Sequence, residues 1–284
     1  MLGAVGLGLL LWCEVSGSGW GEPELVGPGV VSTQGTEFNT THSPDGRLLV
    51  LTRYDDASGV GTIEALRWSG ESWEAAEREH AAWPGVWLEG IDAGDGHLSP
   101  CGARFVFYRD ADIWLTDRNA EDEWSEPKRV DEISTASPEA YPTISNDGSL
   151  CFTRQVGGNW DIFLSRPEGE GWAAPERLGA PVNTRFREHD ALLTPHGNRL
   201  IFVRIGDPQG PGSSDLYTSV LTEDGWSEPE LLPFNSPQID GSPSLSRDGL
   251  WLYFTSGRQP TNTEAAGLCV WRVRVPSEWG QEIR

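Results

Sequence analysis

The sequence predicts an all-β fold: a five-bladed β-propeller of four-stranded antiparallel blades, its ring closed by the N-terminal strand. Two markers that recur in step carry that prediction, together with the lack of any stretch of sustained helical periodicity. The first marker is a Trp followed by a small residue and usually by Glu-Pro or Ala-Pro. It occurs as Trp20-Gly-Glu-Pro, Trp73-Glu-Ala-Ala, Trp124-Ser-Glu-Pro, Trp172-Ala-Ala-Pro, Trp226-Ser-Glu-Pro and Trp279-Gly-Gln, at intervals of 53, 51, 48, 54 and 53 residues. A period of this size means one supersecondary unit copied several times.

The second marker is a turn tetrapeptide that follows each of the first five Trp: Ser43-Pro-Asp-Gly46, Ser99-Pro-Cys-Gly102, Ser145-Asn-Asp-Gly148, Thr194-Pro-His-Gly197 and Ser246-Arg-Asp-Gly249. Pro at the second position suits a type I turn, and Gly at the fourth accepts positive φ. Apolar runs flank each turn, as in Leu48-Leu-Val-Leu51 and Leu200-Ile-Phe-Val203, so each turn closes a hairpin. A third strand follows, read from Thr62-Ile-Glu-Ala-Leu-Arg, Asp112-Ile-Trp-Leu-Thr, Asp161-Ile-Phe-Leu-Ser, Asp215-Leu-Tyr-Thr-Ser and Leu268-Cys-Val-Trp-Arg-Val. The Trp-x-x-Pro segment is expected to supply the fourth, where an outer edge tolerates Pro. Four short strands per repeat, repeated around an axis, is a propeller pattern.

Ser-Pro-Asp-Gly before an apolar strand, then Asp-Ile-aromatic, then Trp-Ser-Glu-Pro, resembles the TolB-type WD-like propeller repeat of bacterial envelope proteins. The likeness covers residues 20–284 and departs from the repeat at Cys101 and His196, and at blades one and five, which lack the Asp before the third strand. It implies a binding propeller of the periplasm, outer membrane or secreted space. Residues 1–19 read as a separate apolar segment and 20–284 as one domain. Met1 to Trp12 suits the apolar region of a secretory signal, with Cys13 as a candidate lipid-anchor position, the one link to a membrane.

The formal charge of −22, from 43 acids against 21 bases, excludes a phosphate-tracking nucleic-acid binder. Cys101, Cys151 and Cys269 stand singly, without metal-ligand spacing, and are expected as buried free thiols. No metal, cofactor, phosphate-loop, dinucleotide or hydrolase-elbow motif is present in the sequence. The closed wheel is expected to act as a monomer without cofactor.

Six residues before each turn stand Glu37, Ala93, Glu139, Glu188 and Asp240; nine or ten after it stand Arg53, Arg109, Arg154, Arg204 and Ser256, with Arg258 close by. Across a hairpin these acids and arginines are neighbours, so one ion pair per blade is expected, chiefly architectural. Asp92 adjoins the blade-two exception. Functional residues are expected where the copies differ. Those places are the segment 79–96 with Trp83, Trp87, Glu89, Asp92 and Asp95, the insertions 205–213 and 257–267, and the cluster Glu188-His189-Asp190.

The leading expectation is a non-catalytic propeller gripping a protein, peptide or glycan at the envelope. Its ligand contacts are sought among Trp83, Trp87, Asp92, Asp95, His189, Asp190, Arg53, Arg109, Arg154 and Arg204. The alternative is a glycan-active hydrolase or lyase with carboxylates at the funnel, drawn from Glu37, Glu139, Glu188 and Asp240. An arginine beside each of these carboxyls is expected to hold its pKa down, which opposes the raised value a general acid needs. The repeated Trp are expected as anchors between blades.

Overall fold

The computed structural model describes residues 19–55, 57–76, 93–261 and 263–279, and these form an all-β wheel of five four-stranded antiparallel blades. The inner strands are Thr36–His42, Ala93–Leu98, Glu139–Ile144, Arg187–Leu193 and Asp240–Leu245; each packs against the inner strand of the blade on either side, and together they ring the axis. The second strands are Leu48–Asp55, Arg104–Arg109, Leu150–Val156, Arg199–Ile205 and Trp251–Ser256, and the third are Val60–Trp68, Asp112–Asp117, Asn159–Ser165, Ser214–Thr222 and Cys269–Arg274. Blade five takes its outer strand from Glu24–Leu25, paired with Arg272 and Trp271, so the N-terminal segment closes the ring. Trp279 packs against Trp20 with ring centroids 4.8 Å apart, which ties the first and last described segments to the same seam.

All five tetrapeptides reverse the chain as expected. The backbone N–H of Gly46, Gly102, Gly148, Gly197 and Gly249 donates to the carbonyl of the residue that opens its turn, at 2.8–3.1 Å, with glycine φ between 64° and 82°. The outer strands are shorter and later than the Trp positions suggest. In blades two to five the outermost strands are Lys128–Arg129, Glu176–Arg177, Glu230–Leu231 and Glu24–Leu25, each starting just beyond the Pro of its Trp-x-x-Pro segment, while Trp124, Trp172 and Trp226 pair separately with Arg118, Pro167 and Leu221. Pro has no N–H to offer a ladder. Blade one, whose segment is Trp73-Glu-Ala-Ala without Pro, pairs from the Trp itself as Trp73–Ala75.

The hydrophobic core lies in the five seams between blades. Alternation along each second strand sends successive side chains to opposite seams. Leu49 and Leu51 join Val31 and Tyr253 between blades five and one, whereas Leu48 and Val50 join Phe105 and Phe107 between blades one and two. Leu150 and Phe152 face blade two, and Cys151 faces blade four. Trp172 is buried as an anchor, and its indole N–H donates to the Gly148 carbonyl at 2.9 Å; Trp20, Trp73, Trp124 and Trp226 are half-buried. Cys151 and Cys269 are buried thiols, but Cys101, at the tip of a tight turn, is exposed.

Candidate active site

The expected acid and arginine neighbours are cross-strand partners. Glu37 faces Arg53, Glu139 faces Arg154, Glu188 faces Arg204, and Ala93 faces Arg109. Arg53 bonds Glu37; the other pairs close at 2.8 Å for Arg154–Glu139, 2.9 Å for Arg204–Glu188 and 3.0 Å for Arg258–Asp240. All four carboxylates are 0% exposed. Each is also capped by a hydroxyl residue four positions earlier. Thr33, Thr135 and Thr184 donate both N–H and Oγ–H to Glu37, Glu139 and Glu188, and the Ser236 N–H donates to Asp240. The arginines lie over aromatic rings, Arg154 at 4.6 Å from Phe163 and Arg204 at 4.8 Å from Tyr217.

Burial pushes the Glu37 and Glu188 carboxyls above the ordinary carboxylate range, against the lowering pull of the threonines and arginines. The net direction is therefore opposite to the expectation that arginine would hold these groups down, because desolvation is the larger effect. With no exposed surface, these four carboxylates hold the starts of four of the five inner strands to their neighbouring arginines and offer no surface to a substrate.

Arg109, which faces Ala93 and not an acid across its hairpin, bonds Asp110 at 3.1 Å and lies 4.7 Å from the Trp114 ring. The insertion 205–213 folds back on the wheel: Asp207 is buried and bonds Arg204 at 3.3 Å, and the Gly212 N–H donates to Asp215. In the 257–267 segment, Arg258 supplies blade five's missing arginine. Trp83, Trp87, Glu89 and Asp92 lie outside the described residues.

At the axis the structure assembles a group that the spacing of acids and arginines does not reveal. Every inner strand carries a bulge two residues after the acid position, where the register against the second strand shifts. The first bulged residue is left-handed in all five blades: Asn39 (φ 52°), Asp95 (54°), Tyr141 (53°), Asp190 (53°) and Ser242 (50°). This conformation usually belongs to glycine at such bulges. Asn and Asp tolerate it, whereas Tyr and Ser pay for it. Strain repeated around an axis is a pointer to function.

Four of the five, Asn39, Asp95, Tyr141 and Asp190, line a cavity of about 10 Å³ on the axis together with His97, which is room for about one water. Asn39 donates its side-chain N–H to Asp95, and the Ser242 N–H donates to Asp190 at 2.8 Å. Burial, with the neighbouring Asp190 charge, pushes the Asp95 carboxyl up to about 7, against the bonds from Asn39 and the Tyr141 backbone. Burial pushes Asp190 up to about 6 against its bonds from Ser242. The Asp190 charge beside it thus helps the Asp95 carboxyl keep its proton into the neutral range. His189, between Glu188 and Asp190, packs its ring 5.0 Å from Tyr141 and is kept neutral by burial, its pKa drawn down to about 4.

On the side of the tight turns the channel widens into a mouth lined by Pro44, Pro100, Asn146, Pro195 and Arg247, one from each blade's turn. His97 lines both this mouth and the axial cavity, so the two meet at its ring.

No family model and no curated protein matches the chain, so the TolB-type assignment is left at the level of fold. Solved structures do match. The catalytic domain of the Coprinopsis cinerea GH62 α-L-arabinofuranosidase overlays with a TM-score of 0.54 at 9% identity, over 90% of this chain and 97% of that one. A GH62 hydrolase in complex with xylotriose gives 0.51 at 9% identity, over 89% and 97%. A GH43_12 protein retrieved from capybara gut metagenome gives 0.52 at 10% identity, over 90% of this chain and 53% of that one. At these identities the likeness is one of fold. It nonetheless corrects the expectation of a non-catalytic envelope binder, which stood on the repeat resemblance and on the arginine expected beside each carboxyl: the same wheel, over nine-tenths of this chain, is the body of glycoside hydrolases.

Proposed function

We propose that the protein is a glycan-active hydrolase whose acid and base are Asp95 and Asp190. One observation carries the proposal: two buried carboxyls from different blades meet on the axis with their pKa values pushed into the neutral range, the higher partly by the charge of the lower. Glycoside hydrolysis asks for such a pair, one carboxyl protonated to release the leaving oxygen and one ionised to act on water or on the sugar. Asp95, the higher of the two, is the proton donor. Asp190, held by the Ser242 N–H, ionises first and serves as base or nucleophile. The fold's occurrence in an α-L-arabinofuranosidase and in a xylotriose-bound hydrolase supports the substrate class.

The test is a panel of aryl glycosides and oligosaccharides assayed with wild type, Asp95→Asn and Asp190→Asn, with melting curves as the folding control. Loss of general acid or base catalysis lowers kcat by about 10² to 10⁴. Turnover unchanged in both variants, or no turnover by wild type on any panel member, overturns the proposal.

A further inference from the structure

The turn-face mouth differs from the rest of this acidic chain. Its volume is about 220 Å³, below the roughly 300 Å³ at which drug-sized ligand pockets begin, and among the described residues no carboxylate lines it. Three of the five turns place Pro at their second position; the two that do not supply Asn146 and Arg247, and both side chains line the mouth. Arg247 crosses from the blade-five turn to the turns of blades one and two. Its Nε and Nη2 donate to the carbonyls of His42, Leu98 and Ser99, and Nη1 takes no part in those bonds. His97 accepts the Ile144 N–H at Nδ1, at 3.3 Å, which leaves its ring proton on Nε2 when neutral. The polar groups of the mouth are thus mainly donors: a guanidinium, an imidazole N–H and an amide.

Outward between blades one and five, the mouth shares Pro44, Ser246 and Arg247 with a groove of about 410 Å³ that is lined by Trp73, Trp251 and Tyr253 and also by Asp45 and Asp248, so the groove suits uncharged neighbouring sugars and leaves the mouth as the place for a carboxylate. A cationic donor at a small mouth, continued by an aromatic groove, matches a sugar that carries a carboxylate, with its neighbouring residues laid along the rings.

We propose that this mouth binds the carboxylate of a uronate residue, with Arg247 as its counter-charge and Asn146 and His97 as further donors. This extends the hydrolase reading by naming the substrate class as acidic glycans, and it rests on that reading only for the turnover that follows binding. Burial draws the Arg247 guanidinium down to about 10, against an opposing pull from the Cys101 thiol, so an incoming carboxylate supplies charge compensation there.

Isothermal titration calorimetry of the full chain with glucuronate and galacturonate tests the site, with glucose, galactose and lactate as controls. The decisive variant is Arg247→Pro, which recreates in blade five the Ser-Pro-Asp-Gly turn that blade one already uses, and so removes the charge within a turn sequence the wheel accepts. Asn146→Ala is the second variant and does not touch the carbonyl bridge. Uronates should bind, their neutral parents should bind at least about tenfold more weakly, and Arg247→Pro should lose about tenfold or more of uronate affinity, as expected for a charge-assisted contact. Asn146→Ala should weaken uronates by a smaller factor. Neutral sugars binding as well as uronates, no uronate binding, or affinity unchanged in Arg247→Pro overturns the proposal. Lactate binding as tightly as uronates overturns the sugar part of it. Asp95→Asn separates the two readings: uronate binding retained with turnover lost supports both, whereas no turnover by wild type on any panel member, with uronate binding lost in Arg247→Pro, defeats the hydrolase assignment and leaves the mouth standing.

Discussion

Replacing Asp95 by Asn should change how the stability of the wheel depends on pH. The Asp95 carboxyl is raised by burial and by Asp190 from 3.8 to about 7. Between those values the folded protein holds its proton more tightly than the unfolded chain does, so wild-type stability falls as pH rises through the window. A rise of about three pKa units, at about 1.4 kcal/mol each, gives an upper figure of about 4 kcal/mol lost between pH 4 and pH 8. Asn has no proton to lose, keeps an oxygen to accept the Asn39 N–H, and tolerates the left-handed backbone at φ 54°. Guanidinium denaturation of both proteins at steps from pH 4 to pH 8 reads the effect, because titrating groups that do not interact with Asp95 cancel in the difference and what is left belongs to Asp95 and its neighbour Asp190. The variant's advantage should grow by a few kcal/mol toward pH 8, or by roughly 10 °C in Tm at about 2 to 4 °C per kcal/mol for a domain of this size. A difference that stays flat across the window would show that Asp95 titrates normally, and the acid role assigned to it would go with it.

Other expectations concern the frame. Arg154→Met leaves Glu139 buried and uncompensated, so it should cost about 3 to 5 kcal/mol in denaturation; a variant of full stability that nonetheless loses turnover would show the pair to be catalytic. Removing residues 1–26 takes away the outer strand of blade five and the Trp20 contact with Trp279, and should lower Tm by more than any single ion-pair variant; an unchanged Tm would place ring closure elsewhere. Burial alone would raise the Cys101 thiol, but bonds from Ser99 and from backbone N–H groups, with the Arg247 charge, bring it net below its ordinary value, whereas burial pushes Cys151 and Cys269 up to about 12 and about 11. Iodoacetamide at neutral pH should therefore label Cys101 in the folded protein well before the other two, read by peptide mass mapping; equal labelling of all three would refute this.

Much of the frame was legible because its signals are local. Ser43-Pro-Asp-Gly46 and its four copies fix turns through Pro and Gly chemistry, and the apolar runs beside them set strands whose alternate side chains fill two seams. The acid and arginine spacing carried the ion pairs, since a hairpin of known turn converts sequence distance into cross-strand distance. The axial site was less legible. Asp95 and Asp190 stood among the candidates only as members of a loop and of a charged triplet, and nothing in the strand pattern said that a bulge would swing both onto the axis. The available signal was Pro142 and Pro243 within inner strands, because Pro inside a sheet marks a bulge or an edge. The Ser or Thr four residues before each acid was a second overlooked signal, one that identifies those acids as capped and structural. Arg247 was visible as the departure of a turn from its repeat, yet its reach to two other blades is a tertiary fact that sequence spacing does not encode.

The most direct test of the axial pair is the titration of aspartate carboxyl carbons by NMR, in ¹³C-labelled protein, with Asp95→Asn as the assignment control. One carboxyl titrating near pH 7, absent from the variant, is the predicted result. Aspartates that all titrate below about pH 5 would mean that the axis holds two ordinary carboxylates and no proton to donate.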